Sequence, residues 1–592
     1  MRAFRLTMLP VVATVLSLAA FAQRPPGGAR PPISSPRGYV PPGVGSPDQP
    51  HSSPHADDEG GVDFRSDTIL VQVPVVVTDK AGQHVHNLTK EDFQIFENGK
   101  EQKATALEEV TATHTAVART KKPGIFTNVI PDRDKPRFLT VIALDTVNTP
   151  FLDQSYARRE LIKYLAKNMD TGQMLALVLI TSKGLKVVHG LTSSSAALQE
   201  ELKKASNELP TMQTVDPNVE VAAFTGDTSN LFSVISEAQT QAALNAFITQ
   251  GDINYAQFRQ DAAIETTMQA FLGIAWSLTG VPGRKTLLWA TGGFPFSIDS
   301  PSAVPGGRLS LLYERAMQAL NEAEVSVYPV DVRGLVNYTP EVSASRVRAG
   351  AATLQQMSSR GWLENARQDT LKDFAEMTGG KAFYNTNDLA GAFQRAADDG
   401  ASYYLLEYYL DTKNTKAGWR QLKVMLKEKN LNIRVRKGFF VTNATMNPEV
   451  TRVNDMNFAI AAPFEATGIL FEMQWGAVKD SPGGAKKQVT FSLHVLGGDI
   501  TIDSVHNGID LAVVAVATKP ADNKGADAVI AGNLSQDIKG SLTPEKATII
   551  KAHGIAFSNT LALEPGHYNV RFVVRDNFSG RIGSMSAPVT VN

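Results

Sequence analysis

The strongest constraint on this chain is an alternation of apolar strands and helices that begins at Phe138. "FLTVIALD" is apolar almost throughout, and "DQSYARRELIKYLAKN" carries its apolar residues at helical spacing. "MLALVLIT" repeats the strand pattern and is followed by "LKVVHGLT". "SAALQEELKKAS" reads as a helix, and a long helix is expected from roughly Gln257 to Leu278. Then come strand "RKTLLWATGG", helix "LSLLYERAMQALNEAE", strand "VSVYPVDVRG", helix "TLKDFAEM", strand "KAFYNT" and helix "LAGAFQRAAD". Continuously apolar strands need cover on both faces, and the intervening helices supply it. The expected fold class is α/β, a doubly wound, mostly parallel sheet over residues 136–400. Sites in such sheets form at the carboxyl ends of strands. That places attention on "VIALDTVNTPF", where an apolar strand runs into Asp145, Thr146, Asn148 and Thr149.

The segments on either side have a different texture. Residues 64–115 alternate apolar and polar positions, with turn signals at "DKAG" and "ENGK". Pro74 cannot donate to a ladder, so its strand is expected at an edge or a bulge. Residues 401–445, with "SYYLLEYYL", "WRQLKVMLK" and "LNIRVRKGFFV", share that texture and are expected to pair with 64–115. The α/β domain would then be inserted between two β-rich flanks. Residues 450–592 read as a separate all-β, sandwich-like domain. Segments 207–255 and 335–365 exceed ordinary loop lengths and are expected to be insertions.

The chain holds 592 residues, too many for one core. Lys plus Arg number 58 against 59 Asp plus Glu, a formal charge of −1, so no global charge draws it to nucleic acid. The absence of cysteine excludes disulfides, thiolate nucleophiles and Cys-based zinc sites. Arg2 and Arg5 precede an apolar run, Leu6 to Leu18, and "AAFAQ" offers a cleavage site after Ala22. Residues 1–22 therefore read as a signal peptide and 23–60, rich in Pro and Gly, as a disordered tether. An extracytoplasmic chain, periplasmic or secreted, with no stable membrane insertion after cleavage, is expected.

Several motifs fail on their chemistry. "GVPGRKTLLW" lacks the upstream glycine of a phosphate loop, Arg284 interrupts its glycine–lysine pair, and a strand follows where a helix is needed. His84 and His86 share a strand face, but no third metal ligand is near in sequence, so a solvated face is expected. His189 is the only histidine of the α/β segment and reads as structural.

The strand–helix order resembles the von Willebrand factor type A domain, a Rossmann-type fold. "TLKDFAEMTGGKAFYNTNDL" is similar to that family's last helix, TGG turn and final strand. "VVVTDKAGQHVHNLTKEDFQIFENGK", "LDTVNTPFLDQSYARREL" and "VPGRKTLLWATGGFPF" resemble the secreted, acidobacterial-type subgroup of related proteins, over about residues 64–440. The family often holds Mg²⁺ or another divalent cation through D-x-S-x-S, a distant Thr and a T-D-G aspartate. The resemblance carries the first Asp to Asp145, the first Ser to Val147, the second Ser to Thr149 and the T-D-G aspartate to Gly292. The distant Thr falls in an insertion, where Thr225 and Thr228 are candidates; Asn148 and Asp153 are possible substitutes. Asp145 and Thr149 are thus candidate metal ligands. The competing reading is that Asp145 and Asn148 cap the following turn.

The expected function is non-enzymatic: binding of a protein or cell-surface ligand at an edge formed by Asp145, Asn148, Thr149, Gly292 and Gly293. A cation-dependent adhesion module with altered ligands is the alternative. A hydrolase acting on envelope polymers comes third.

Overall fold

The computed structural model describes residues 68–111, 124–129, 138–167, 173–205, 238–294, 308–335, 367–411, 418–428, 430–441, 448–481, 484–503, 507–519 and 529–592. All lie in one compact unit, Arg65–Asn592. The signal-like segment, the tether, Thr225, Thr228 and most of both expected insertions fall outside the described residues.

The chain opens with β1 (Thr68–Thr78), β2 (Phe93–Glu97), β3 (Lys100–Gln102), β4 (Ala106–Thr111) and the short β5 (Ile125–Thr127). Then come β6 (Leu139–Asp145), α1 (Phe151–Lys167), β7 (Met174–Thr181), β8 (Gly184–Thr192), α2 (Ser195–Ala205) and α3 (Ala238–Leu278). β9 (Lys285–Thr291), α4 (Arg308–Glu322), β10 (Val325–Asp331), α5 (367–378) and α6 (Leu389–Asp398) complete the middle region. The five-stranded sheet here has the order β10-β9-β6-β7-β8; β8 runs antiparallel to β7 and the other neighbours pair in parallel. Every residue of β6, β9 and β10 is buried.

The two-residue period of β6 divides its side chains between two cores. Val141 and Ala143 pack with α3, α4 and α5, while Ile142 and Leu144 pack with α1, α2 and α6. After β6 the chain moves through β7 to β8, then returns to place β9 and β10 on the other side of β6. The order therefore reverses between β6 and β9. A crevice at the carboxyl ends of those two strands is the usual ligand position in open α/β sheets.

Two elements differ from expectation. "KAFYNT" makes a single parallel bridge, Phe383 to Val330, rather than a strand. It follows a tight TGG turn: Thr378 accepts the Val327 amide, and a Cβ on Gly380 would stand 1.9 Å from the Val327 carbonyl oxygen. The long helix begins at Ala238, inside the segment expected as an insertion.

β11 (Ser402–Asp411), β12 (Gly418–Leu426), β13 (Asn432–Arg434) and β14 (Gly438–Val441) pair back onto the N-terminal strands. The sheets are β13-β1-β11-β4 and β14-β12-β2-β3, and they share one core, in which Val73 and Val75 meet Ile95, Tyr404 and Val424. Pro74 lies on the part of β1 that pairs only with β11 and has no strand on its other side, an edge position where proline is tolerated.

The C-terminal region contains α7 (Pro448–Ala461), β15 (Phe471–Asp480), β16 (Lys487–Val495), β17 (Gly508–Lys519), β18 (Val529–Ser541), α8 (Pro544–His553), β19 (Ile555–Leu563), β20 (Gly566–Asp576) and β21 (Ile582–Val591). Its strands form antiparallel sheets β19-β16-β15-β5 and β18-β17-β20-β21 over a common core. It is not all-β: α7 packs on β20 through a buried ion pair between Asp455 and Arg575, and Arg315 of α4 also reaches Asp455. α8 is capped by Thr543, with Pro544 at its first turn.

The basic pair that ended the phosphate-loop reading is buried at the start of β9. Burial pushes Lys285 down to about 8, with Glu324 opposing, and its ammonium donates to the Val281 carbonyl at 2.7 Å. Between that value and the ordinary 10.5 the unfolded chain holds a proton that the folded chain lacks, so stability rises with pH across this window. Burial raises Tyr164, Tyr313, Tyr328, Tyr403 and Tyr408 instead, which makes stability fall above about pH 10. Stability is expected to crest between these limits. Lys285→Met should abolish the rise and add up to about 3 kcal/mol at pH 7, read from urea midpoints at pH 7 and 9. An unchanged slope in the variant would remove Lys285 as its source.

Candidate functional site

Asp145 ends β6 at the point where the strand order reverses. It is 2% exposed, and its carboxylate is enclosed by donors. Oδ1 accepts the backbone amides of Val147 and Asn148, both at 3.0 Å. Oδ2 accepts from Asn148 Nδ2 at 2.8 Å, Trp289 Nε1 at 3.1 Å and Thr291 Oγ1 at 2.9 Å. The two amides show why an aspartate stands here: a short carboxylate closes the turn on its own backbone. Burial pushes this carboxyl above its ordinary range, while the donors from Asn148, Thr291 and Trp289 pull it back.

The rest of the loop is tied down in the same way. The second amide hydrogen of Asn148 Nδ2 goes to Thr267 Oγ1 of α3 at 2.9 Å. Thr146 donates its amide and its hydroxyl to the Ile180 carbonyl at the end of β7. Gln154 of α1 donates to the Thr149 carbonyl at 2.7 Å and to the Thr146 carbonyl at 3.2 Å. Thr149 Oγ1 accepts the Gly292 amide at 2.8 Å, which latches the loop onto the end of β9. That latch explains the glycine: a Cβ on Gly292 would meet Asn148 O at 2.9 Å and Thr149 Cα at 3.0 Å. Gly293 adopts φ +122, beside the Arg367 side chain.

The structure thus brings Asp145, Asn148, Thr149 and Gly292 together, with Gly293 next to them. It does not give them the chemistry of a cation site. A hard divalent cation needs carboxylate and hydroxyl lone pairs turned toward it. Here both oxygens of Asp145 face protein N–H and O–H groups, and Thr149 Oγ1 faces an N–H. Val147 brings no side-chain oxygen, Gly292 no carboxylate, and Asn148 points its NH₂ at Asp145. These residues do not fit a divalent cation; the turn-capping reading fits them.

Sequence reasoning missed Trp289 and Thr291, which reach Asp145 from β9. The signal was available: a buried indole N–H needs an acceptor. Trp289 is locked by edge-on contacts to Phe271, Phe294 and Phe374, with centroids 5.0 to 5.7 Å away. It also missed Asp331 at the end of β10, fully buried and held bidentately by Arg333 at 2.9 and 2.7 Å. Burial raises the neighbouring Asp153, with Asp331 adding to the shift and Arg333 opposing it.

The rim of this edge carries exposed apolar side chains. Phe151 and Leu152 open α1 at 43% and 79% exposure, and Leu335, just beyond β10, is 57% exposed. Asn387 joins the two sides, accepting the Tyr156 hydroxyl of α1 and the Leu335 amide. No protein-family model matches the chain, and no curated protein matches it.

Proposed function

We propose that this chain is an exported, non-enzymatic interaction protein with a von Willebrand A-like α/β domain and a C-terminal β-sandwich. It binds a protein or cell-surface ligand at the carboxyl edge of its five-stranded sheet. The observation that carries the reading is the rim of Phe151, Leu152 and Leu335, exposed beside a loop whose backbone is tied down. A preorganised edge loses little entropy on binding, and exposed apolar side chains at such an edge suit a protein surface. The parallel order β10-β9-β6-β7 with its antiparallel edge strand supports the fold resemblance. The donor shell of Asp145 favours contact that needs no cation over the cation-dependent alternative.

The test is capture from an envelope extract by the wild-type chain and by a Leu152→Asp/Leu335→Asp double variant. Both positions are exposed, so the variant should melt like wild type. The expected result is a partner recovered by wild type, retained in chelator and lost with the variant. Equal recovery by both proteins would remove the edge from consideration, and loss in chelator would restore the cation-dependent reading.

A further inference from the structure

The fold supplies the third ligand that the sequence around His84 and His86 lacks. Register places Glu109 of β4 opposite Tyr404 of β11, and the loop after β1 folds over this pair. Glu109 Oε1 lies 2.5 Å from His86 Nδ1 and 3.6 Å from His84 Nε2. One ligating atom from each of the three residues falls within 4.8 Å of the others. We propose that His84, His86 and Glu109 form a binding site for a borderline divalent transition metal of the Zn²⁺ class.

The chemistry suits that class: two imidazole nitrogens and one carboxylate oxygen, with coordination positions left for water or an outside ligand. Metal–ligand bonds of about 2.0–2.2 Å at tetrahedral angles separate ligand atoms by roughly 3.3 Å. The His84–Glu109 spacing is already close to that, and the His86–Glu109 contact needs to open by less than an ångström.

A second observation points to a missing partner. Both ring nitrogens of His84 are buried and neither has a hydrogen-bond partner. A buried polar atom left unpaired is unfavourable, and a metal on Nε2 would relieve one of them.

The surroundings hold the ligands in place. The Asn87 amide donates to Glu109 Oε2 at 3.0 Å, which leaves Oε1 directed at the histidines. The Tyr404 ring stacks on His84 at 5.4 Å, and its hydroxyl donates to the Val85 carbonyl and accepts the Leu88 amide. His86 is 57% exposed, so solvent reaches the open side. Outer contacts of this kind fix the orientation of ligating side chains.

The experiment is calorimetric titration of the full, chelator-treated chain with Zn²⁺, together with the visible spectrum after adding Co²⁺. Wild type should bind one equivalent at this site with Kd on the order of micromolar and give Co²⁺ bands of an N,O-ligated ion. Glu109→Gln and His84→Ala should each weaken it by at least about tenfold. Glu109→Gln keeps the side chain's shape, so it decides the matter if His84→Ala does not fold. A His51→Ala/His55→Ala variant, which removes the two histidines of the Pro/Gly-rich stretch 23–60, should leave the binding intact. Zn²⁺ heat unchanged in Glu109→Gln, or lost in the His51/His55 variant, would overturn the proposal, as would no heat in wild type.

Discussion

Asp145→Ala should destabilise the α/β region by about 3–5 kcal/mol, the range for removing one partner of a buried charged network. The substitution removes one small side chain and takes the acceptor from two backbone amides, one Asn148 Nδ2 hydrogen and Trp289 Nε1, while Thr291 Oγ1 keeps only the Gly293 carbonyl. Trp289 cannot turn its N–H elsewhere, because Phe271, Phe294 and Phe374 hold its ring. Asp145→Asn keeps the shape and one acceptor oxygen but sets an NH₂ against donors, so it should recover only part of the loss. Urea unfolding of the three proteins, with and without millimolar Mg²⁺, measures this directly. If Asp145 is a cap, Mg²⁺ leaves all three curves in place. If Mg²⁺ stabilised wild type and not the variants, linkage would show a bound ion, and the hydrogen-bond account would fail.

The contrast between Asp145 and its partners shows which information the sequence carried. A strand apolar up to a terminal carboxylate marks Asp145 by local pattern alone. Trp289 contacts it across 144 residues, and only the parallel register of β6 and β9 makes the two neighbours. Glu109 is hidden for the same reason: it stands 23 residues from His86, on β4, while His86 lies in the loop after β1. The mixed α/β class was legible because strands buried on both faces must be apolar throughout. β18 was not, because its face alternates polar residues such as Asn533, Ser535 and Asp537 with few large apolar ones. "KAFYNT" carries strand propensity but is spent on one bridge, because the preceding TGG turn clamps it against β10.

Arg284→Met should cost about as much as Asp145→Ala, and its effect should spread further. The buried guanidinium donates to Ser326 Oγ at 3.0 Å, the Asp399 carbonyl at 3.0 Å, and the Tyr328 hydroxyl and Gly379 carbonyl at 2.8 Å each. Burial opposes its charge, but Tyr328 and Asp399 outweigh that and keep it protonated. Tyr328 passes the network on to the Asp399 carboxylate, which also meets Arg434 of β13. One side chain therefore links β9, β10, the TGG turn and the end of α6 to a strand of the flanking sheet. Methionine fills similar volume but donates nothing, so the Gly379 and Asp399 carbonyls lose a buried donor. Lysine keeps the charge but lacks the planar fork, and should restore a minority of the loss. Amide exchange should quicken around Gly379, Asp399 and Arg434 together in Arg284→Met, since the three sites share this donor network. Faster exchange confined to β9 would mean that the flank is held by its apolar core alone and that the network adds nothing across the boundary.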